Sequence, residues 1–574
     1  MRATTTSIEP GALSPKRWAL YRERVHGQLR PVAATALSLG PALVAVVLAV
    51  AVAVLHWKGV DQAAQSYRVL QVRAHGLSLW DSGWYGGNYP LGYSLVFPVI
   101  GAAVGLPAAG AAAAAGATWS FDRLVSTAFG RRPLGVWYFA ASTMLAVAIG
   151  QLPFLAGEAL GLAGLVALRR DRRVLAVALV IVAAACSPLA AAFVVMACAA
   201  WFWHRGSGRL GVVMVAGGAA AVIGSLGWLF PGTGPFPFPF GGLVVALLAS
   251  ALLATSMLRS NPVIRLGAAI YVVACVASFL VPNPLGGNAP RLAATVGVPL
   301  LICLATAPPS APLSTANHRP AWADPPRWPL SRWWRPTLTV GALGALAVWQ
   351  WAPGLGVVTD PAAHPAVTEA YYLPLVHQIE ARSHGPVRVE IPPTRQHWEA
   401  AWVAPYVSLA RGWERQLDIA DNPIFYRPGL LGPASFRRWM LANGVTWVAL
   451  PATPLDYAGA DEAGLLHAGE VRGLRLVWSN RDWKLWRVVG TPGLVSGAAT
   501  LQTLAPDAIR LSFSRPETVT LRVRFSAFST VRDGNACLRP DPGGWTTVKA
   551  GAAGAVTLAT SVFGSGSSRC PAGS

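Results

Sequence analysis

The sequence predicts an all-α polytopic membrane region of about eleven spans, followed by a mixed α/β region and a small β-sandwich. Three observations carry this. Of 574 residues, 53% are hydrophobic and only 12% are charged, with a mean hydropathy of +0.45. That balance fits a multi-pass membrane protein and not a soluble enzyme. Apolar segments recur as far as residue 352, punctuated by arginine clusters. Beyond residue 352 polar and apolar residues alternate, and most of the acidic residues are found there.

The chain opens with a basic stretch, 1–31, carrying Lys16, Arg17, Arg22, Arg24 and Arg30. The apolar run after it is too long for a signal-peptide core, so an uncleaved signal-anchor with a cytoplasmic N-terminus is expected. Apolar segments follow near 32–56, 91–118, 134–150, 154–168, 174–186, 189–203, 210–230, 240–258, 266–282, 291–306 and 337–352. Several are shorter than the roughly 20 residues a straight span needs. The pair 174–186 and 189–203, joined by Cys186-Ser187-Pro188, reads as broken or half-length helices.

Charge sets the expected topology. Lys+Arg total 46 against 25 Asp+Glu, a net +21. The basic residues punctuate apolar segments, as cytoplasmic loops do, so the charge is not a nucleic-acid footprint. Eleven crossings put Arg123/Arg131/Arg132, Arg169–Arg173, Arg205/Arg209 and Arg259/Arg265 inside. Two crossings within 91–128 would put the later clusters outside. The domain plan is therefore a transmembrane region 32–306, a Pro-rich cytoplasmic linker 307–336, a last span 337–352 and an exported domain 353–574.

Within the exported domain, Ala434–Asn443 predicts a helix. Leu474–Trp478 and Trp483–Val489 predict a hairpin across a Ser479–Asp482 turn, and Ala508–Phe513 and Val519–Phe525 predict further strands. Its many tryptophans are expected mostly in the core, with a few exposed ones suited to carbohydrate. His384, His397 and Asp418 have no spacing that suggests a triad or a metal site. Cys186, Cys198, Cys275 and Cys303 fall in apolar segments and read as small core residues. Cys537 and Cys570 fall in the polar C-terminal region, where export would make them a disulfide.

Candidate chemistry follows from scarcity. Through residue 352 the acids are Glu9, Glu23, Asp61, Asp81, Asp122, Glu158, Asp171 and Asp324. Only Asp61, Asp81 and Glu158 fall on the outer side. Ionisable groups at a membrane rim are costly to desolvate, which gives such residues functional weight. Asp61 follows the first span and leads into an amphipathic, aromatic-rich loop. That loop holds Tyr67 and Arg68, then Trp80, Asp81, Trp84, Tyr85, Asn88 and Tyr89. The outer cations are Lys58, Arg68, Arg73 and Arg291. Arg291 closes Pro282-Asn283-Pro284-Leu285-Gly286-Gly287-Asn288-Ala289-Pro290, where Gly-Gly would let backbone amides approach a ligand and arginine could fork onto a phosphate.

A first span followed by an outer Asp61 in an aromatic loop, a Tyr89-Pro90-Leu91-Gly92-Tyr93 lead into the second span, short paired helices and an exported domain resemble the GT-C class of polytopic glycosyltransferases. The likeness covers roughly 32–306 by layout and is local only at Asp61 and Tyr89–Tyr93. Pro282–Asn288 and Arg411-Gly412-Trp413-Glu414-Arg415-Gln416-Leu417-Asp418 also resemble uncharacterised actinobacterial membrane proteins. The resemblance implies a plasma-membrane enzyme of the cell envelope, for example in arabinan or mannan assembly. It would move a sugar with inversion from a polyprenyl-phosphate donor to a glycan or lipid acceptor at the outer face. Asp61 would be the base and Glu158 a second acid. Arg291, with Arg68 and Asn288, would hold the donor phosphate. Asp81, Trp80, Trp84, Tyr85, Asn88 and Tyr89 would line the substrate. Gln62 stands where an Asp-Asp pair would need its second acid, so no metal-ligand set is expected and a divalent cation is left open as cofactor. Membrane lipids and envelope-assembly proteins are the expected partners. A lipid-linked glycan flippase and a non-catalytic envelope scaffold are the competing functions.

Overall fold

The computed structural model describes residues 39–204, 208–231, 234–254, 262–306, 331–359, 365–506, 508–562 and 568–571. The basic N-terminal stretch 1–31 and the linker residues 307–330 lie outside them. Helix α1 is Leu39–Val54. The next segment, expected as loop, is instead helix α2, Val60–His75. Its start and stop signals are glycines, Gly59 as N-cap and Gly76 (φ 73) as C-cap, in place of the Ser, Thr, Asp or Asn that usually announces a helix.

The remaining helices of this region are α3 Phe97–Val104, α4 Leu106–Phe129, α5 Pro133–Ile149, α6 Leu152–Arg169, α7 Arg173–Cys186, α8 Pro188–His204, α9 Arg209–Leu229, α10 Phe240–Ala254, α11 Pro262–Leu280, α12 Val298–Ala305 and α13 Ser331–Thr359. Among the described residues, five helical stretches are long and apolar enough to cross a membrane: α6, α9, α11, Gly286–Ala305 and α13. Counting the α3–α4 pair, bent by 118°, as one span brings the number to six. Gly105 makes that corner with φ +84, so 91–118 is not one straight span. Five shorter apolar helices complete the set: α1, α5, α7, α8 and α10. Pro188 and the Ser187 side chain, which accepts from Ala190 N–H, start α8 immediately after α7. Helix α13 runs beyond the expected 337–352 at both ends.

The C-terminal domain begins with α14, Glu369–Glu380. A five-stranded sheet follows, in the order β2-β1-β3-β5-β4. Its strands are β1 Arg388–Glu390, β2 Ser408–Leu409, β3 Val445–Pro451, β4 Leu474–Ser479 and β5 Trp483–Val488. The first three run parallel, and β4–β5 form the expected antiparallel hairpin. Helices α15 Glu399–Trp402, α16 Arg415–Asp421, α17 Pro433–Ala442 and α18 Tyr457–Ala468 flank them, α17 where a helix was expected.

Two four-stranded antiparallel sheets then make the sandwich. They are built from β6 Val495–Ser496, β7 Ala499–Leu504, β8 Ile509–Phe513, β9 Glu517–Arg524, β10 Ser529–Asp533, β11 Ala536–Pro540, β12 Trp545–Ala550 and β13 Gly554–Thr560. Their orders are β10-β13-β8-β7 and β11-β12-β9-β6, so the expected strands β8 and β9 sit in different sheets. Alternation along β9 turns Val519, Leu521 and Val523 inward against Leu511, Leu538 and Val548. Cys537 and Cys570 are disulfide-bonded. Cys186, Cys198, Cys275 and Cys303 are buried free thiols.

The loop between α2 and α3 binds the two halves together. Leu409 N–H donates to Gly83 O (2.8 Å), Ser408 Oγ–H to Ser82 O (2.9 Å) and Arg524 N–H to Gly86 O (2.7 Å). Gly86 and Gly87 have φ +76 and +143, and a Cβ at Gly87 would stand 2.1 Å from the Trp80 ring. Glycine is therefore required where the loop turns under the sandwich.

Candidate functional site

Asp61 reaches its place through two glycine contacts. Gly59 N–H donates to Ala148 O (2.9 Å), and a Cβ at Gly59 would lie 2.6 Å from Ile149 Cα. At Gly150 (φ +94) a Cβ would lie 2.2 Å from Gln62 N. The start of α2 thus sits directly on the α5–α6 corner. Asp61 falls in the first helical turn, where a carboxylate is favoured by the helix dipole.

Arg291 arrives from the far end of the helical region. Its Nη2 stands 3.4 Å from Asp61 Oδ2, across 230 residues of sequence. The preceding Gly286-Gly287 packs against a neighbouring segment, and Gly287 also lines a 270 Å3 cavity with Asn288 and Arg291. A Cβ at Gly286 would meet Phe236 O at 1.6 Å and one at Gly287 would meet Pro237 O at 2.8 Å, so these glycines admit the backbone of the 234–239 segment. Asn283 Oδ1 accepts from Leu285 and Gly286 N–H and fixes the turn that delivers Arg291.

The pair lies on the wall of a cavity of about 480 Å3 between the helical region and the C-terminal domain. The helical side contributes Asp61, Trp80, Asn88, Tyr89, Asn288 and Arg291. The C-terminal side contributes His397, Trp413, Glu414, Arg415, Asp421 and Arg524. Burial pushes the Asp61 carboxyl above the ordinary carboxylate range, and the guanidiniums of Arg291 and Arg68 pull it back.

Other expected site residues are placed differently. Arg68 is buried off the cavity, ion-paired to Glu414, with its guanidinium 4.1 Å from the Tyr93 ring centre. Glu414 itself lines the cavity, so Arg68 acts there through its partner. Asp81 accepts from Tyr67 O–H (2.9 Å) and Gly83 N–H (3.0 Å), and its backbone bridges Asn88. It holds the loop and does not reach the cavity. Trp84 and Tyr85 are core residues against the C-terminal domain, donating to Ala400 O (3.1 Å) and Glu414 O (2.9 Å). Glu158 lies on α6, buried, with no charged partner among the described residues and the Thr295 hydroxyl as its polar neighbour. It faces a 270 Å3 cavity shared with Asn288 and Arg291, and a second, largely apolar one of 320 Å3.

The C-terminal contribution to the cavity was not legible from spacing. Arg415 donates to both oxygens of Asp456 (2.8 and 2.9 Å) and approaches His397 Nε2 (3.3 Å). Arg524 stands 3.3 Å from Asp421 Oδ2. His397 has φ +55, a conformation that non-glycine residues adopt rarely and mostly where surroundings demand it. Its Nδ1 lies 3.6 Å from Glu399 Oε1. Among the described residues no three His, Cys, Asp or Glu side chains converge as a metal site would need, and Asp61 has a guanidinium at its carboxylate. These residues do not fit a protein-held divalent cation.

No family model matches the chain, and no curated protein matches it. Among solved structures, the chain is similar to the crystal structure of ArnT from Cupriavidus metallidurans bound to undecaprenyl phosphate. The identity is 16% and the TM-score 0.41, over 79% of this chain and 99% of that chain.

Proposed function

We propose that this chain is a membrane glycosyltransferase of the GT-C kind, using a polyprenyl-phosphate sugar at the outer face of the plasma membrane. The observation that carries the reading is the Asp61–Arg291 pair on the wall of the 480 Å3 cavity. A carboxylate and a guanidinium side by side supply the two things the reaction needs. Asp61 takes the proton of an acceptor hydroxyl, and its raised affinity for that proton makes it the better base. The hydroxyl oxygen attacks the anomeric carbon from the face opposite the phosphate. The carbon–oxygen bond to phosphate breaks, its electron pair leaves with the polyprenyl phosphate, and the sugar inverts. Arg291 stabilises that growing charge. Donor phosphate on Arg291 also loosens its hold on Asp61, which links donor binding to base activation. No step is routed through a metal.

In this reading the cytoplasmic N-terminus, the eleven crossings and the exported C-terminal domain follow the arginine distribution. Glu158, buried on the wall of the 270 Å3 cavity it shares with Arg291, is the second acid. The test is chemical. The purified chain in detergent, given polyprenyl-phosphate sugars and hydroxylated acceptors, consumes donor and releases polyprenyl phosphate one for one with product. A flippase changes no bond, so no donor consumed across a full panel would remove the transferase reading.

A further inference from the structure

The two faces of the large cavity treat charge differently. On the helical face Arg291 makes one contact with Asp61, at 3.4 Å, and keeps 21% of its side chain exposed. On the C-terminal face both guanidiniums are already neutralised. Arg415 is forked onto Asp456, and Arg524 faces Asp421. An anion entering there would compete with a carboxylate already in place. A hydroxyl would not, because it donates to a free carboxylate lone pair while accepting from an outer N–H.

The same cavity carries aromatic surface. The Trp413 ring is fixed by its indole N–H, which donates to Val60 O (2.7 Å). Trp80 meets Tyr89 edge-on at 4.7 Å. The Trp80 indole N–H, in a side chain only 6% exposed, has no partner among the described residues. Fixed aromatic faces, an unspent donor and pre-neutralised Arg–Asp pairs suit a polyhydroxylated ring system better than a phosphate or carboxylate.

We propose that the C-terminal face of this cavity is a binding subsite for an uncharged glycan. Gln416, which also lines the cavity, Asp421 and Arg524 hydrogen-bond its hydroxyls, Trp413 contacts its rings, and Trp80 borders it from the helical side. In the transferase reading that glycan is the acceptor, so the proposal rests on that reading for its role, though not for binding itself. The C-terminal domain then selects the acceptor, while the helical face holds the donor phosphate.

The experiment is direct binding to the full chain in detergent, followed by tryptophan fluorescence and calorimetry. The probes are mannotriose, arabinotriose, trigalacturonic acid and inorganic phosphate. A neutral trisaccharide is expected to bind with an affinity that changes less than about twofold between low and high salt. Gln416→Ala and Asp421→Ala should each weaken it about tenfold. Asp421→Asn leaves the hydrogen-bonding shape but frees the charge of Arg524, so trigalacturonic acid, excluded by the wild type, should now bind. Monodisperse elution of each variant controls for folding. Tighter, salt-sensitive binding of trigalacturonic acid or phosphate that persists in Arg291→Ala, and so does not come from the helical face, would overturn the proposal at this face. So would binding by neither neutral probe, or neutral binding indifferent to both alanine substitutions. Neutral binding that responds to them, with no donor consumed, would fail the transferase reading and leave this subsite standing.

Discussion

Two arginine–carboxylate assemblies in this chain use the same chemistry and end up with opposite characters. At the cavity, Arg291 and Asp61 meet through one contact at 3.4 Å, with side chains 21% and 10% exposed. Inside the C-terminal domain, Arg411 is sealed. Its Nη2 stands 2.7 Å from Asp418 Oδ2, its Nε 3.1 Å from both Asp418 oxygens, and its Nη1 3.2 Å from Glu462 and 3.8 Å from Glu390. Asn422 and Tyr426 donate to Asp418 as well, and the Phe425 ring centre lies 4.0 Å from the guanidinium. The buried cluster has no route to a ligand and fixes how α16, α18 and β1 pack. The open pair is under-coordinated and faces 480 Å3 of space, which is what a site that must exchange partners requires.

The sharpest way to break this contrast is to truncate each arginine. Arg411→Ala strands three buried carboxylates and should destabilise the C-terminal domain by about 3–5 kcal/mol, read as a large fall in its melting temperature. Arg291→Ala should leave melting within about 1 kcal/mol of the parent and lower turnover instead. Equal melting losses for both would erase the distinction.

Acidity separates them next. Burial, and then the neighbouring carboxylate, pushes Glu390 up. Burial likewise pushes Glu462 up to about 7. Below the ordinary glutamate range the folded and unfolded chains both hold these protons. Above that range the unfolded chain releases them first, so the domain loses stability as pH rises, in the case of Glu462 until about pH 7. A Glu462→Gln variant should show a flatter profile in denaturant titrations. A wild-type profile already flat over that window would contradict the upward shift of these two glutamates.

A smaller effect concerns the sandwich. The Cys537–Cys570 bridge closes a 33-residue separation and should contribute about 2–4 kcal/mol. Non-reducing mass analysis should find it formed in protein from the native membrane. Free thiols at both positions would count against export of this domain.

Much of the architecture is written in local pattern. Arginine-punctuated apolar runs foretell the helices, and the turn Ser479–Asp482 foretells the β4–β5 hairpin. Helix α2 was not legible, because its sequence is polar overall and its boundaries are glycines with no capping side chain. The helical half of the site, Asp61 with Arg291, was singled out by scarcity, since acids and cations at a membrane rim are few. Of the other half only the Arg411–Asp418 stretch stood out, and without a role in the site. His397, Arg415, Asp421 and Arg524 lie more than 300 residues from Asp61, and no spacing links them to it. The Gly286-Gly287 turn has a packing role that the sequence did not reveal. Glycine marks close approach, and the approaching group is Phe236, part of the protein itself.

The account rests on the open pair doing chemistry, and Asp61→Asn tests that most directly. The substitution keeps size and hydrogen bonding near Arg291 and removes only the base. Turnover of polyprenyl-phosphate sugar should fall by about 10²–10⁴, with melting temperature and monodisperse elution unchanged. Full turnover by Asp61→Asn would contradict the account.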